Sequence, residues 1–391
     1  MNTESNQALR RERNGELLLS VILWLAFICA VTAGAYKRGE LVHSVTDDYR
    51  AGVIRWFEGR SLYSSDDQLG FVLYAPPSYI LMAPLVYCPG FWGELLWRLF
   101  TVGLWGYAVL RLAERMKRCA AGPHYFWFTL ITMVLSLPAA RNGQCTIPMA
   151  AAMLLASMAL FDKRWNNAAV WLTLGLFLKP HIVPIFLLTF VLFAPMRWRL
   201  VVAAAVFAVI PFFFQDANYV WEQWRAYPQI VQAVSKSGEV SSFASFYQLC
   251  KFCGFKLSLP VWTSLRVASA VLVLGLCFLL IRHRNESYYQ TIWYYALPTF
   301  FLLLMNARTE NNAYAMLAPI FVSYLMMESC VKKNVRLTAF LVLLLIGLAG
   351  HYEIGKFITT RDGIVSICPF LTLVFLVYLG FRRNVWFFAE K

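Results

Sequence analysis

The feature that most constrains this chain is a succession of apolar runs, many near twenty residues long, separated by short polar segments. A bilayer core offers no water to backbone N–H and C=O groups, and about twenty helical residues are needed to cross it, so such runs read as membrane helices. They fall at roughly 17–36, 93–112, 124–139, 145–161, 166–178, 180–194, 198–215, 260–281, 290–306, 312–328, 335–350 and 364–381. The expected fold is an all-α polytopic membrane protein with about 12 transmembrane helices. It forms a single integral-membrane domain over residues 1–391. Barrel strands alternate in polarity and these runs do not, which excludes a β-barrel. The runs 166–178 and 180–194 are short, which leaves one bent element or a re-entrant pair open there. Tyr74 to Tyr87 is apolar too, but Pro76, Pro77, Pro84 and Pro89 break a regular span, so an interfacial or re-entrant piece is expected.

Composition agrees, since 60% of the 391 residues are hydrophobic and only 14% are charged, too apolar for a soluble domain of this size. A net charge of +14 raises nucleic acid as a partner. The Lys and Arg residues instead sit in short clusters between apolar runs, the pattern that orients helices in a membrane, and no nucleic-acid partner is expected. The first run ends in Ala33-Gly34-Ala35, similar to a signal-peptidase site, but its length fits an uncleaved first helix. Most cysteines lie inside apolar runs, as Cys29, Cys277 and Cys368 do, and read as small buried hydrophobes. Cys250 and Cys253 form the one CxxC; with no second CxxC to complete a zinc site, helical spacing accounts for it better than a redox pair.

With the N-terminus inside, the loops sort into two sets. One is short and basic, as cytoplasmic loops are: Arg10-Arg11-Glu12-Arg13, Arg115 to Arg118, Asp162-Lys163-Arg164, Arg197-Trp198-Arg199, Arg282-His283-Arg284, Lys332-Lys333 with Arg336, and Arg382-Arg383. The other set holds two long loops, about 37–92 and about 216–259, each long enough for surface helices. It also holds Arg141-Asn142-Gly143-Gln144, Lys179-Pro180-His181, the polar run 306–312 and His351-Tyr352-Glu353. Nearly every chemically specific polar cluster is therefore expected on the outer face.

Four clusters carry candidate chemistry. Asp47 and Asp48, in Thr46-Asp47-Asp48-Tyr49-Arg50, suit either the N-cap of a helix through Ala51–Glu58 or a general base held at the membrane surface, and one position can serve both. Lys179-Pro180-His181 sits between two apolar runs; it is either a snorkelling lysine beside a helix-breaking proline or a cation for a phosphate, with His181 as a second donor. In Arg308-Thr309-Glu310-Asn311-Asn312, Arg308 suits a bidentate phosphate contact, Glu310 would orient it, and the two Asn groups suit hydroxyls; the bland reading is a wet connecting loop. Arg141-Asn142-Gly143-Gln144 is a shorter version of the same arrangement. No P-loop, GxGxxG, HExxH or GxSxG is present, and Asp66-Asp67, like Asp47-Asp48, is an adjacent pair rather than the Asp-x-Asp of sugar-nucleotide transferases. A nucleotide-sugar donor and an ATP-driven pump are both disfavoured.

Taken in order, the outward Asp, Gly59-Arg60-Ser61-Leu62-Tyr63, Tyr74-x-Pro76-Pro77 with Pro84-Leu85, Asn142-Gly143-Gln144, Leu178-Lys179-Pro180 and the 308–312 turn with Tyr314 resemble glycosyltransferase family 87 over about residues 40–320. These are membrane enzymes of the GT-C superfamily, among them polyprenol-phosphate-mannose-dependent mannosyltransferases. The resemblance implies transfer of a hexose (mannose-like) or pentose from a polyprenyl-phosphate sugar to a glycolipid or polysaccharide acceptor. It places the reaction on the outer face of a bacterial cytoplasmic (inner) membrane, with inversion at the sugar. It implies an aspartate base in the first outer loop; Asp48-Tyr49 matches the acid–aromatic start, while the short spacing to Gly59 keeps Asp47 in play.

The residues suit that chemistry, which needs a base for the acceptor hydroxyl and charge stabilisation for the departing phosphate. Asp48 or Asp47 would supply the base; Lys179, His181, Arg308 and Arg141 would hold the phosphate; Tyr49, Tyr74, Asn142, Gln144, Glu310, Asn311, Asn312 and Tyr314 would contact substrate. No metal or cofactor is expected, and the bilayer itself is a partner. The competing class is a secondary transporter or a lipid or glycolipid flippase. Against it stand the absence of an internal repeat and the lack of charge near the bilayer midplane.

Overall fold

A computed structural model describes residues 3–37, 40–41, 44–63, 74–88, 90–116, 124–236, 243–282, 287–306, 308–355, 357 and 361–381. Asp66, Asp67, Pro89, Lys117, Arg118, His283, Arg284, Arg382 and Arg383, singled out above, lie outside the described residues. The chain opens with α1 (Thr3–Ala35), followed by a two-stranded antiparallel pair of two residues each, Tyr36–Lys37 with Glu40–Leu41. Short helices come next: α2 (Thr46–Phe57), α3 (Pro76–Met82) and α4 (Pro84–Tyr87). Then come α5 (Gly90–Met116), α6 (Tyr125–Asn142), α7 (Thr146–Phe161), α8 (Trp165–Leu178), α9 (Val183–Leu192) and α10 (Arg197–Val209). Two helices, α11 (Ala217–Lys236) and α12 (Phe246–Phe252), occupy the second long loop. The rest is α13 (Leu259–Arg282), α14 (Ser287–Met305), α15 (Ala318–Met326), α16 (Val335–Ala349), α17 (His351–Gly355) and α18 (Arg361–Phe381).

Each of the twelve apolar runs has become helix. Among the described residues, six helices are long and apolar enough to cross a membrane: Glu12–Ala35, Gly90–Met116, Ala194–Phe213, Leu259–Arg282, Asn311–Val331 and Gly363–Phe381. The apolar helices Thr146–Phe161, Pro180–Leu192 and Val335–Ala349 are shorter. The runs 166–178 and 180–194 form two helices broken at Lys179, whose extended backbone (φ −160°, ψ 120°) is what the residue before a proline prefers. The proline-rich stretch is likewise two short helices, α3 and α4, restarting at Pro84.

The core sits on α7, whose residues Thr146 to Leu160 are all buried. A helix apolar all round belongs at the centre of a bundle, and Ala150, Ala151, Ala152 and Ala156 let its neighbours approach closely. By contrast α13 turns most of its apolar surface outward, as a lipid-facing helix does.

Among the described residues, the polar contacts of α5, α6 and α7 fall into two groups, one at each end of these helices. At one end Arg115 pairs with Asp162 at 2.8 Å, Arg13 approaches Glu114 at 4.0 Å, and Glu16 accepts from the Phe126 amide at 2.9 Å. The other end gathers α2, the α6–α7 turn, Lys179 and the 306–312 segment. The two long loops pack together there: Gln215 donates to the Trp56 carbonyl (2.7 Å), Tyr219 to the Arg60 carbonyl (2.8 Å), and the Leu62 amide to Gln223 (2.9 Å).

Gly93 opens the second turn of α5 where α4 meets it. A Cβ there would lie 1.7 Å from the Cys88 carbonyl oxygen, so only a backbone shift could admit one. Gly93→Ala is therefore expected to destabilise the protein by about 1–3 kcal/mol, the usual range for overpacking, read as a lower unfolding temperature in detergent.

Candidate active site

The site is built around α2. Its inward face repeats at Tyr49, Val53 and Trp56, the spacing of one helical stripe. The expected cap is not made: Val45 is the N-cap and no side chain caps the helix. Thr46 instead donates through Oγ1 to Glu94 Oε1 of α5 at 2.8 Å. Both aspartates still lie in the first turn, where the helix dipole favours negative charge.

Glu94 is fully buried, and its partners arrive from two elements. Arg50 Nη2 of α2 sits 2.7 Å from Oε1, and Arg98, one turn along α5, pairs with Oε2. Arg98 is also fully buried and spends its remaining donors on the open end of α6, giving Nε to the Ala140 carbonyl (3.2 Å) and Nη2 to the Arg141 carbonyl (2.6 Å). Trp97 donates to the Gly143 carbonyl at 2.8 Å, and the Val45 amide to the Asn142 carbonyl at 3.0 Å. Gly143 has φ +72°, and a Cβ there would meet Thr46 Cγ2 at 2.9 Å, so this turn needs glycine for both reasons. The result locks α2, α5 and the α6–α7 turn into one unit.

Immediately after that turn the chain enters a partly open cavity with about 370 Å³ of empty space, its open mouth included. Its lining combines the polar residues Gln144, Thr146, Lys179, His181, Arg308 and Glu310 with the apolar Met149, Leu302, Leu303 and Met316. Lys179 donates to Thr146 Oγ1 at 3.0 Å, and Gln144 donates to the Glu310 carboxylate across 166 residues of sequence. Arg308 stands over the Phe243 ring, 5.5 Å from its centroid. Among the described residues, no three His, Cys, Asp or Glu side chains are grouped as metal ligands.

Of the residues singled out in the sequence, Gln144, Lys179, His181, Arg308 and Glu310 thus meet in one cavity. Glu310, expected to orient Arg308, accepts a hydrogen bond from Gln144. The other candidates lie outside its lining. Tyr49 and Tyr74 are buried with their hydroxyls paired at 3.0 Å, beside Cys145. Tyr314 is buried and donates to the Ala244 carbonyl at 2.8 Å, pinning the second long loop. Asn142 works through its carbonyl, exposed Arg141 lies near Tyr352, and Asn311 and Asn312 are half-buried. Cys250 and Cys253 are two free thiols.

The two aspartates differ in kind. Asp47 is 64% exposed and paired with Arg50 Nη1 at 3.2 Å. Asp48 is half-buried and has no hydrogen bond or ion pair among the described residues. Burial, and then the negative charge of Asp47, raise its carboxyl above the ordinary value.

The family model for glycosyltransferase family 87 matches residues 71–307, well over half of the chain. The chain belongs to glycosyltransferase family 87. No curated protein and no solved structure matches it. Within the family match lie Tyr74, the α6–α7 turn, Lys179 and His181, whereas α2 and the Arg308–Tyr314 segment flank it.

Thr146 and Met149 line the cavity and were missed in the sequence, as was the Glu94–Arg98 pair behind it. The pair did leave a signal: two opposite charges four residues apart inside an apolar run, a placement costly enough to need a reason. Arg98→Ala would strand a buried carboxylate and free the end of α6. A loss of about 3–5 kcal/mol is expected, measured as a drop in thermal or denaturant midpoint, with Asp47→Ala, on the exposed side, nearly neutral.

Proposed function

We propose that this family 87 glycosyltransferase moves a hexose, mannose-like, or a pentose from a polyprenyl-phosphate donor to a glycolipid or polysaccharide acceptor, on the outer face of the bacterial cytoplasmic membrane. The observation that carries the reading is the cavity's mixed lining. Lys179, Arg308 and His181 come together there from distant parts of the chain, in the same lining as Met149, Leu302, Leu303 and Met316. A phosphate joined to an isoprenoid offers a partner to both kinds of group.

In the proposed reaction the acceptor oxygen bonds to the anomeric carbon as the bond from that carbon to the phosphate oxygen breaks, in one displacement with inversion. The departing phosphate gains charge, which Lys179 and Arg308 offset in a partly enclosed site where such contacts count for more than in water. His181 adds a donor. Asp48 takes the acceptor proton. It is the better base of the pair because Asp47 is already committed to Arg50, and because a carboxylate raised by burial binds a proton more readily. Gln144 and Glu310 supply hydrogen-bonding groups at the wall for sugar hydroxyls.

Asp48→Asn is expected to abolish sugar transfer without unfolding the protein. The sign follows from linkage. With its folded value raised, Asp48 favours folding while protonated and loses that contribution as pH rises through the folded value, so the ionised group opposes folding at neutral pH. The variant should therefore melt at or above the parent temperature at pH 7; full activity in it would sink the base assignment. With cations of the chain holding the phosphate, EDTA should leave the rate within about twofold, and strong inhibition reversed by a divalent ion would reinstate a metal.

A further inference from the structure

Two adjacent carboxylates on one turn raise the question of what separates their roles. We propose that Arg50 is a positioning residue that ties up Asp47 and so leaves Asp48 as the carboxylate free to accept the proton. This rests on the reading of Asp48 as the base.

All three polar arms of Arg50 are committed. Nε donates to the Leu85 carbonyl at 3.2 Å, Nη1 to Asp47 at 3.2 Å, and Nη2 pairs with Glu94 at 2.7 Å. Residues three apart on a helix are neighbours and residues two apart are not, so Arg50 reaches Asp47 while Asp48 points elsewhere. The guanidinium cannot drift toward Asp48, because Glu94 is itself fixed by Arg98 and by Thr46 Oγ1 at 2.8 Å. The buried pair in α5 therefore sets which of two exposed-end carboxylates is neutralised.

Among the described residues, the surrounding charges are few. On α2 they are Asp47, Arg50 and, at its far end, Arg55, with Glu58 and Arg60 paired just beyond. From α5 come Glu94 and Arg98, and from the end of α6 comes Arg141. The short helices α3 and α4 bring no charged residue. Asp47 is the charge that acts on Asp48, and it acts to raise it. Without Arg50, Asp47 would lose its ion-pair partner and its charge would act on Asp48 unopposed, so Asp48 would hold its proton to higher pH.

The test reads Asp48 directly and needs no substrate. The full-length protein in detergent is labelled with a carbodiimide and glycinamide across a pH series, and modification at Asp48 is quantified by peptide mass spectrometry. Arg50→Gln should move the Asp48 midpoint up, and Asp47→Asn should move it down, each by on the order of 0.5 pH unit. The double variant should return it close to the parent value, and Arg50→Lys should fall between parent and Arg50→Gln. A structural role for Arg50 alone would lower stability and leave the midpoints in place. Unmoved midpoints, or a double variant no closer to the parent, would overturn the proposal. If Arg50→Gln does not fold, an unshifted midpoint in Asp47→Asn overturns it by itself. Failure of the parent reading shows separately, as transfer activity surviving in Asp48→Asn.

Discussion

The structure depends on a carboxylate that no water reaches. Glu94 is enclosed between Arg50 and Arg98 and accepts a hydrogen bond from Thr46. A buried ion pair adds little net stability over an apolar packing of the same shape, but it is costly to break and permits few geometries. Here that selectivity falls on the junction where α2, α5 and the end of α6 meet. Arg98 closes the open carbonyls of α6, the α6–α7 turn follows with Gly143 in its left-handed conformation, and the cavity begins one residue later at Gln144. Behind it, the wholly buried α7 gives the junction a rigid base.

On this base the chain sets two chemical regimes side by side. The cavity brings cations and amides from the α6–α7 turn, Lys179 to His181 and the 306–310 segment against thioether and aliphatic side chains. The α2 helix, pinned to the same turn, carries the carboxylates. Family 87 membership supplies the class of reaction, and the mixed cationic and apolar lining is what favours a lipid phosphate as the proposed donor. Asp48 does not line the cavity, so on this reading the acceptor enters from the α2 side and bridges the two.

Much of the fold was legible because a membrane helix is written as an apolar run, and every expected run is helical. The cavity cations and amides were legible for the same reason, as polar residues clustered between apolar runs need an explanation. What sequence could not resolve is which way a polar side chain turns. Thr46 has the look of a cap and instead serves Glu94; Tyr49, Tyr74 and Tyr314, expected at substrate, bond one another or a backbone carbonyl. Glu94 and Arg98 were passed over because their apolar surroundings dominate the reading of the run, although the four-residue spacing held the clue. Of the two adjacent aspartates, only the position of Arg50, three residues from one and two from the other, tells them apart.

The central claim is that the cavity between Gln144, Lys179 and Arg308 receives a lipid phosphate. Native mass spectrometry of the full-length protein with polyprenyl phosphate lacking its sugar tests this most directly. Binding to the parent chain, weakened about tenfold or more by Lys179→Ala and by Arg308→Ala, corresponds to at least about 1.4 kcal/mol per lost charge contact and is the predicted result. Equal affinity in the parent and both variants would contradict it.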